Sequence, residues 1–384
     1  IGFRKSMLLA FSLLTVGYTG LGVLPTMLEA AGLVTYGDPT QFTGLTESSN
    51  RWLIVPILLL IMVGGSFIKS VITGSIAKET TEENRARGYS IFYMIVNLGA
   101  FTGKTVIDPL RDAIGTHAYI YINYFSAFMT LMALVAVFFF YQSVHTAGQG
   151  KSMNEITKGL VRICTNGRLL MLILIVTGFW MVQQQLYATM PKYVIRMAGE
   201  TAKPGWIANV NPFVVFCCVS FVTRLMAKRT ATTSMNIGMF LIPVSAMLMA
   251  CGNIFENELI VGVSNITVMM ILGIVVQALA ECFISPRYLE YFSLQAPKGE
   301  EGLYLGFSHL HSFLSSIFGF GIAGILLTKY CPDPVLFESH EAWQAASANA
   351  HYIWYYFAAI GLIAAFALLL FAKINQSIDK KKQA

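Results

Sequence analysis

Charge is scarce in this chain: only 12% of its 384 residues are Asp, Glu, Lys or Arg, about half the share found in ordinary soluble domains. With 55% hydrophobic residues and a mean hydropathy of +0.62, that scarcity excludes a typical soluble globular protein. Cysteine patterning is also missing. Cys164, Cys217, Cys218, Cys251, Cys282 and Cys331 show no CxxC spacing, and four of them lie within or at the ends of apolar runs, so neither a disulfide framework nor a zinc site is implied. No HExxH, P-loop or GxSxG pattern occurs, and no polar cluster has nucleophile-base spacing, which argues against an enzyme. The net charge of +6 is scattered between apolar runs rather than gathered on one surface, so it reads as membrane topology and not as a nucleic-acid partner. Phe3-Arg4-Lys5 leads into the first apolar run without a signal-peptide cleavage pattern, and the chain opens at Ile1, which suggests a fragment.

What the chain has is long hydrophobic runs. Ten candidates for membrane spans are Met7 to Leu28, Leu53 to Ile76, Tyr89 to Val106, Ile120 to Tyr141, Leu169 to Met190, Val210 to Ala227, Met235 to Ile254, Ile266 to Pro286, Leu303 to Leu327, and Ile353 to Phe371. Each approaches the roughly 20 residues a helix needs to cross a bilayer, and all are too long and too uniformly apolar for barrel strands. Placing both termini in the cytoplasm puts 18 Lys and Arg residues in the inner connections and 7 in the outer ones, so the positive-inside rule selects that orientation. The connection Gln142 to Arg168, with Gly148, Gly150 and four basic residues, reads as a cytoplasmic linker. It divides a four-helix remainder of a first bundle, residues 1–141, from a six-helix second bundle with a basic tail, residues 169–384.

Two ionisable groups sit inside these runs. A charge near the bilayer centre costs roughly 2.5 to 3.5 kcal/mol on insertion scales, so such residues usually face a cavity and work there. Lys69 follows Gly64-Gly65, some 25 Å along its span at about 1.5 Å per residue. Small neighbours at Gly64, Gly65, Ser66 and Ser70 favour close helix approach and a bundle interior; the competing reading is a lysine that snorkels to the headgroups. Glu281 lies at a matching depth six spans later, in Gln277-Ala-Leu-Ala-Glu281-Cys-Phe-Ile-Ser285-Pro286, where a carboxyl group can carry a proton or form a structural ion pair. Pro286 is expected to bend or end that helix. Opposite signs at equivalent positions suggest one shared cavity.

Gln183, Gln184 and Gln185 interrupt the fifth span after Phe179-Trp180. Consecutive helical side chains diverge by about 100°, so at most two of the three share a face. Cavity lining and interhelical hydrogen bonding both remain open for them, as they do for Asn97 and for Asn211 before Pro212. His309 and His311 could accept protons, but their i, i+2 spacing keeps them off one helix face. Asn265-Ile-Thr267 fits a glycosylation pattern at a span edge and reads as accidental.

Gly64-Gly-Ser-Phe-Ile-Lys69, followed by Gly88-Tyr-Ser-Ile-Phe92-Tyr93-Met-Ile-Val-Asn97-Leu-Gly99-Ala100-Phe101, resembles the proton-dependent oligopeptide transporters of the major facilitator superfamily. So do Asn211-Pro212, Ala280-Glu281 through Pro286, Gln295-Ala296-Pro297-Lys298, and Gly302-Leu-Tyr-Leu-Gly306. The resemblance covers nearly the whole chain. It implies an all-α major facilitator fold whose ten helices correspond to helices 3 to 12 of twelve, with the Glu-x-x-Glu-Arg helix and its neighbour lying upstream. It also implies that Lys69 binds a peptide carboxyl end and takes part in proton coupling, and that Glu281 binds the amino end or gates. Tyr93, Asn97, Gln184, Gln185, Asn211 and Ser308 become polar cavity contacts. Three positions depart from the pattern: Gln184-Gln185 where Glu then Gln is usual, Ala280 where Gly precedes the acidic residue, and Ser308 where Trp is common.

The function expected on this reading is proton-coupled symport of di- and tripeptides by alternating access. The proton serves as coupling ion without another cofactor, in a monomer within the lipid of the plasma membrane. A facilitator of another small solute (an amino acid, a nitrate-like anion or a drug-like compound) and a non-transporting remnant are the rival readings.

Overall fold

In lipid every backbone polar group must be satisfied within the segment, which leaves helices as the answer for apolar runs of this length. The computed structural model describes residues 2–33, 49–114, 118–142, 153–199, 202–254, 259–260 and 263–383. In chain order the helices are α1 (Phe3–Ala30), α2 (Ile54–Glu79), α3 (Arg85–Thr105), α4 (Ile107–Ile114), α5 (Ala118–Phe140), α6 (Met153–Cys164), α7 (Gly167–Gln183), α8 (Gln185–Ala188), α9 (Met190–Ala198), α10 (Pro204–Leu225), α11 (Ala231–Ile254), α12 (Asn265–Gln295), α13 (Glu301–Ser308), α14 (Leu310–Tyr330), α15 (His340–Ser347) and α16 (Tyr352–Gln383). A short antiparallel pair, β1 (Leu259–Ile260) with β2 (Val263–Ser264), precedes α12.

Ten stretches among the described residues are long and apolar enough to cross a membrane, and they coincide with the ten runs read from hydropathy. Four details differ. The fifth run is broken at Gln184 into α7 and α8, and the ninth at His309 into α13 and α14. Pro286 does not end its helix, since α12 continues to Gln295. Within the expected linker, residues 153–164 form helix α6, while Lys151 and the rest of 143–152 lie outside the described residues.

Packing groups the chain into two units, and the division does not follow chain order. The first holds residues 1–79 and 106–159, the second 80–105 and 160–384. Helix α3 therefore goes with the later helices, because its side chains pack on α10 and α12, whereas chain order places it with the first four spans.

In the first unit α1 is central, with α2 and α5 packed on it. Gly64 lets α2 approach the α1 backbone so closely that a Cβ there would lie 2.9 Å from the Ala10 carbonyl oxygen. Thr15 and Thr130 share a 3.1 Å hydrogen bond from α1 to α5. The second unit is more densely buried. Here α11 packs along α12 and α16, and α7 along α14 and α16, around a core that includes Phe179, Tyr193, Phe292, Trp354 and Phe357. Asn166 starts α7 as a side-chain cap on the Arg168 and Leu169 amides, meeting donors that the first turn leaves unpaired.

Outside the spans, Arg196 of α9 clamps the segment after α14. It donates to the Cys331 carbonyl at 2.6 Å and to the Asp333 carboxylate at 2.9 Å, and Trp343 Nε1 donates to Pro332 O at 3.0 Å. The Val335 amide, and after it Arg196, hold the Asp333 carboxyl below its ordinary range.

Candidate functional site

Helix α12 carries Gln277, Glu281 and Ser285 at four-residue spacing, so the three share one face, and all are buried. Glu281 is only 7% exposed. Its Oε2 accepts from Gln183 Nε2 at 2.7 Å and from Asn211 Nδ2 at 3.4 Å. The carboxylate is thus cradled by amides from α7 and α10.

Gln277 explains why this cradle forms. Near the end of α7 the Tyr187 amide turns back to Gln184 O at 3.0 Å, which takes from Gln183 O its usual helical donor. Gln277 Nε2 supplies the replacement, donating to Val182 O at 3.2 Å and Gln183 O at 3.1 Å. The helix break and the acidic residue are therefore tied together one turn apart on α12.

The three consecutive glutamines fan out as helical geometry requires. Gln183 turns to Glu281. Gln184 Oε1 accepts from Ser316 at 3.4 Å, and Gln185 donates to Met181 O and Gly319 O while accepting from Thr189. Sequence reasoning placed Gln184 and Gln185 in the site; it is Gln183 that the fold brings to the carboxylate, with the other two directed to α14 and to their own helical segment.

The remaining expected residues divide similarly. Asn211 joins Glu281, and Tyr93 packs beside Cys282 and Val219, near Glu281 and Ser285. Asn97 is buried, but its Nδ2 donates back to Tyr93 O at 2.8 Å. Ser308 uses its hydroxyl on Leu305 O and its carbonyl to accept from Tyr288, so it sits at the α13–α14 junction as a packing residue. His311 stacks on Trp180 at 5.2 Å with its ring nearly parallel, and meets Tyr288 edge-on. It joins α7, α12 and α14.

Lys69 belongs to the first unit and Glu281 to the second. Within its own unit Lys69 is exposed on α2. It lies five residues beyond Gly64, hence about 140° around the helix from the α1 contact.

Several residues of the Glu281 surroundings escaped sequence reasoning. Asn209 donates to Phe101 O at 3.2 Å and Thr105 Oγ1 at 2.9 Å, fastening α10 to α3. Lys104, near the end of the third span, donates to the Tyr187 hydroxyl at 2.9 Å and lies 4.7 Å from that ring's centre. The signal for it was present, because Lys104 falls seven residues beyond Asn97, which itself lies four beyond Tyr93, so the three share one helical stripe.

Two acceptors near the carboxylate, Gln183 Oε1 and Gln277 Oε1, are buried with no hydrogen-bond partner among the described residues. An unsatisfied buried acceptor costs about 1 to 3 kcal/mol, so the cluster is chemically short of donors. Among the described residues no group of three or more His, Cys, Asp or Glu is placed to hold a metal ion.

Comparison with known proteins agrees with this architecture. The family model described as Major Facilitator Superfamily matches residues 1–262. An uncharacterized MFS-type transporter, YttB of Bacillus subtilis (strain 168), is 21% identical over 316 residues, which is 81% of this chain and 71% of the relative. A crystal structure of a POT family transporter in complex with a thioalcohol-conjugated peptide aligns with a TM-score of 0.67 at 13% identity, covering 98% of this chain and 82% of that one. Another, in complex with 5-aminolevulinic acid, gives 0.67 at 14% identity with the same coverage. The POT family transporter PepTSo gives 0.65 at 17%, covering 98% of this chain and 85% of its own. At these identities the structural likeness concerns the fold.

Proposed function

The chain belongs to the Major Facilitator Superfamily, and on that premise we propose that this multi-pass membrane transporter is a proton-coupled symporter of di- and tripeptides, of the POT type. The observation that carries the proposal is the donor-poor Glu281 cluster. An ammonium group brings three N–H donors, and the carboxylate with the open amide oxygens of Gln183 and Gln277 supplies three acceptors for them. A substrate amino end fits that chemistry better than an anion or an apolar drug.

The same cluster suits proton exchange. When Glu281 is ionised it accepts from Gln183 Nε2; when it is protonated, its O–H can donate to Gln183 Oε1 after the amide turns over. Either state keeps a hydrogen-bond partner, and because the ionised state has only neutral amide partners, a proton or a cationic substrate group is favoured there. In the alternating-access cycle of such transporters the site faces each side of the bilayer in turn. By motif resemblance Lys69 is a candidate for the peptide carboxyl end. Both termini in the cytoplasm, residence in the plasma membrane and action as a monomer complete the proposal.

A second reading, a carrier of smaller amino acids, is favoured by one observation: a structure with the same fold is in complex with 5-aminolevulinic acid, which also carries an amine and a carboxylate. Uptake of labelled dipeptide into proteoliposomes under an inward proton gradient separates the two. Competition by unlabelled di- and tripeptides but weakly by single amino acids supports peptide transport. Equal competition by amine-free carboxylates, or absence of gradient-driven dipeptide uptake by folded protein, overturns it.

A further inference from the structure

We propose that His311 is a second protonation site of the transport cycle, its charge read by Trp180 on the turn of α7 that Gln183 ties to Glu281. Its consequence for transport rests on the proton-coupled reading above, whereas its protonation needs no substrate. An imidazole changes charge between about pH 5 and 8, and this one is stacked on a neighbour that responds to charge.

The His311 side chain is 3% exposed and is enclosed by helices of one packing unit. Its ring lies at 9° to Trp180 of α7 with centroids 5.2 Å apart, and meets Tyr288 of α12 edge-on, also at 5.2 Å. On its own helix, Ser312 Oγ lies 3.2 Å from His311 Nδ1. A hydroxyl both donates and accepts, so Ser312 suits Nδ1 whether the ring is neutral or charged. Burying a charge is costly, and the Trp180 face offsets part of that cost, because an aromatic face attracts a cation more strongly out of water. The titratable groups facing His311 are the Tyr288 phenol, which donates to Ser308 O at 2.7 Å, and the His309 ring at 6.0 Å. Of the charged groups on the elements around it, α7 carries Arg168 at its start, α12 carries Glu281 seven residues before Tyr288 and the Arg287–Glu290 ion pair just after it, α13 carries Glu301, and α14 carries Lys329 near its far end.

Trp180 stands on the turn at which α7 breaks. Its carbonyl accepts from the Gln184 amide at 2.9 Å, Gln183 bonds Glu281 at 2.7 Å, and Gln184 Oε1 accepts from Ser316 of α14 at 3.4 Å. On α14, His311, Ser315 and Gly319 fall at four-residue spacing and share a stripe. That stripe faces α7, since a Cβ at Gly319 would lie 3.4 Å from Met181 Cα. Within a single turn α7 therefore meets Glu281 from α12 and His311 from α14, beside the break between α7 and α8. A proton on His311 strengthens the hold of α14 on Trp180, just as ionisation of Glu281 strengthens its hold on Gln183. The broken helix is the element that both charges bias.

The intrinsic tryptophan emission of the purified protein, titrated without substrate from about pH 8 to about pH 5, tests this in wild type, His311→Gln, His311→Phe, His309→Gln and Trp180→Phe. A charged imidazole quenches an indole it stacks on more than a neutral one does, so wild-type emission should fall as the pH drops, with its midpoint inside that range. The fall should vanish in His311→Gln, in His311→Phe, which keeps a ring against Trp180, and in Trp180→Phe, and should persist in His309→Gln. In proteoliposomes, uptake of labelled dipeptide should depend less steeply on pH in His311→Gln than in wild type, by up to about tenfold per pH unit for the one proton removed. Flat wild-type emission overturns the proposal, as does a fall that survives in His311→Gln or is lost in His309→Gln. Uptake by His311→Gln with wild-type steepness overturns it too, because a merely structural ring leaves the pH profile unmoved. Wild-type protein that takes up no dipeptide while its emission transition follows His311 overturns the peptide reading and supports the protonation of His311.

Discussion

Gly238 on α11 faces the backbone immediately before Glu281, and replacing it with alanine tests whether close helix packing positions the carboxylate. A Cβ at Gly238 would lie 2.6 Å from the Ala280 carbonyl oxygen, 2.6 Å from Ile284 Cγ1 and 3.0 Å from Ile284 Cδ1. Carbon-oxygen contacts settle at about 3.3 Å or more, so α11 and α12 must separate by about 0.7 Å. The obstacle is backbone and cannot swing aside. Overpacking of this kind costs about 1 to 3 kcal/mol, against a gain of up to about 1 kcal/mol from the better helix propensity of alanine. Gly324 on α14 provides the contrast, since a Cβ there meets nothing within 4 Å and only the propensity gain remains. Thermal unfolding of the detergent-solubilised protein should therefore place Gly238→Ala below wild type and Gly324→Ala at or above it. Dipeptide affinity should fall in Gly238→Ala, because a shift of up to about 0.7 Å would lengthen and weaken the 2.7 Å Gln183–Glu281 bond, past the range of about 2.7 to 3.2 Å that such bonds prefer. An unfolding midpoint for Gly238→Ala equal to or above that of Gly324→Ala would refute the argument.

Gln277→Leu removes the donors to Val182 O and Gln183 O; the loss of about 1 to 3 kcal/mol for each orphaned carbonyl should exceed the apolar gain and lower the unfolding midpoint. An unchanged midpoint would show that the α7 break is held by something else. Arg196→Ala should destabilise by no more than about 1 kcal/mol, since Asp333 is half exposed and solvent screens the pair. Because the Asp333 carboxyl is held below its ordinary range, its contribution is present above the usual carboxylate pKa of about 3.9 and fades as pH falls through the lower folded value. Midpoints of wild type and Arg196→Ala measured from neutral to acid pH should accordingly converge at the acid end, and a gap that widens there would contradict the assignment.

Hydropathy revealed the ten spans because crossing a bilayer leaves so few alternatives, and the embedded charge at Glu281 was conspicuous for the same reason. The choice among Gln183, Gln184 and Gln185 was hidden, since it depends on helix rotation and a uniformly apolar run offers no periodic face to read. The breaks at Gln184 and His309 carry no glycine or proline; the first is sustained by Gln277 from another helix, a tertiary cause. Gln277 and Lys104 were legible in part, as stripe partners of Glu281 and Asn97, but Lys104 ends an apolar run and so looked like a topological charge. That α3 packs with α10 and α12 rather than with its chain neighbours follows from lateral contacts that spacing along the chain does not encode.

On the proposed mechanism Glu281 receives both the substrate amine and the coupling proton. Wild type and Glu281→Gln, inserted at equal levels in proteoliposomes, should be compared for accumulation of labelled dipeptide against its gradient under an imposed proton gradient. Wild type should accumulate the dipeptide and Glu281→Gln should not, whereas accumulation by Glu281→Gln at the wild-type level would rule that role out.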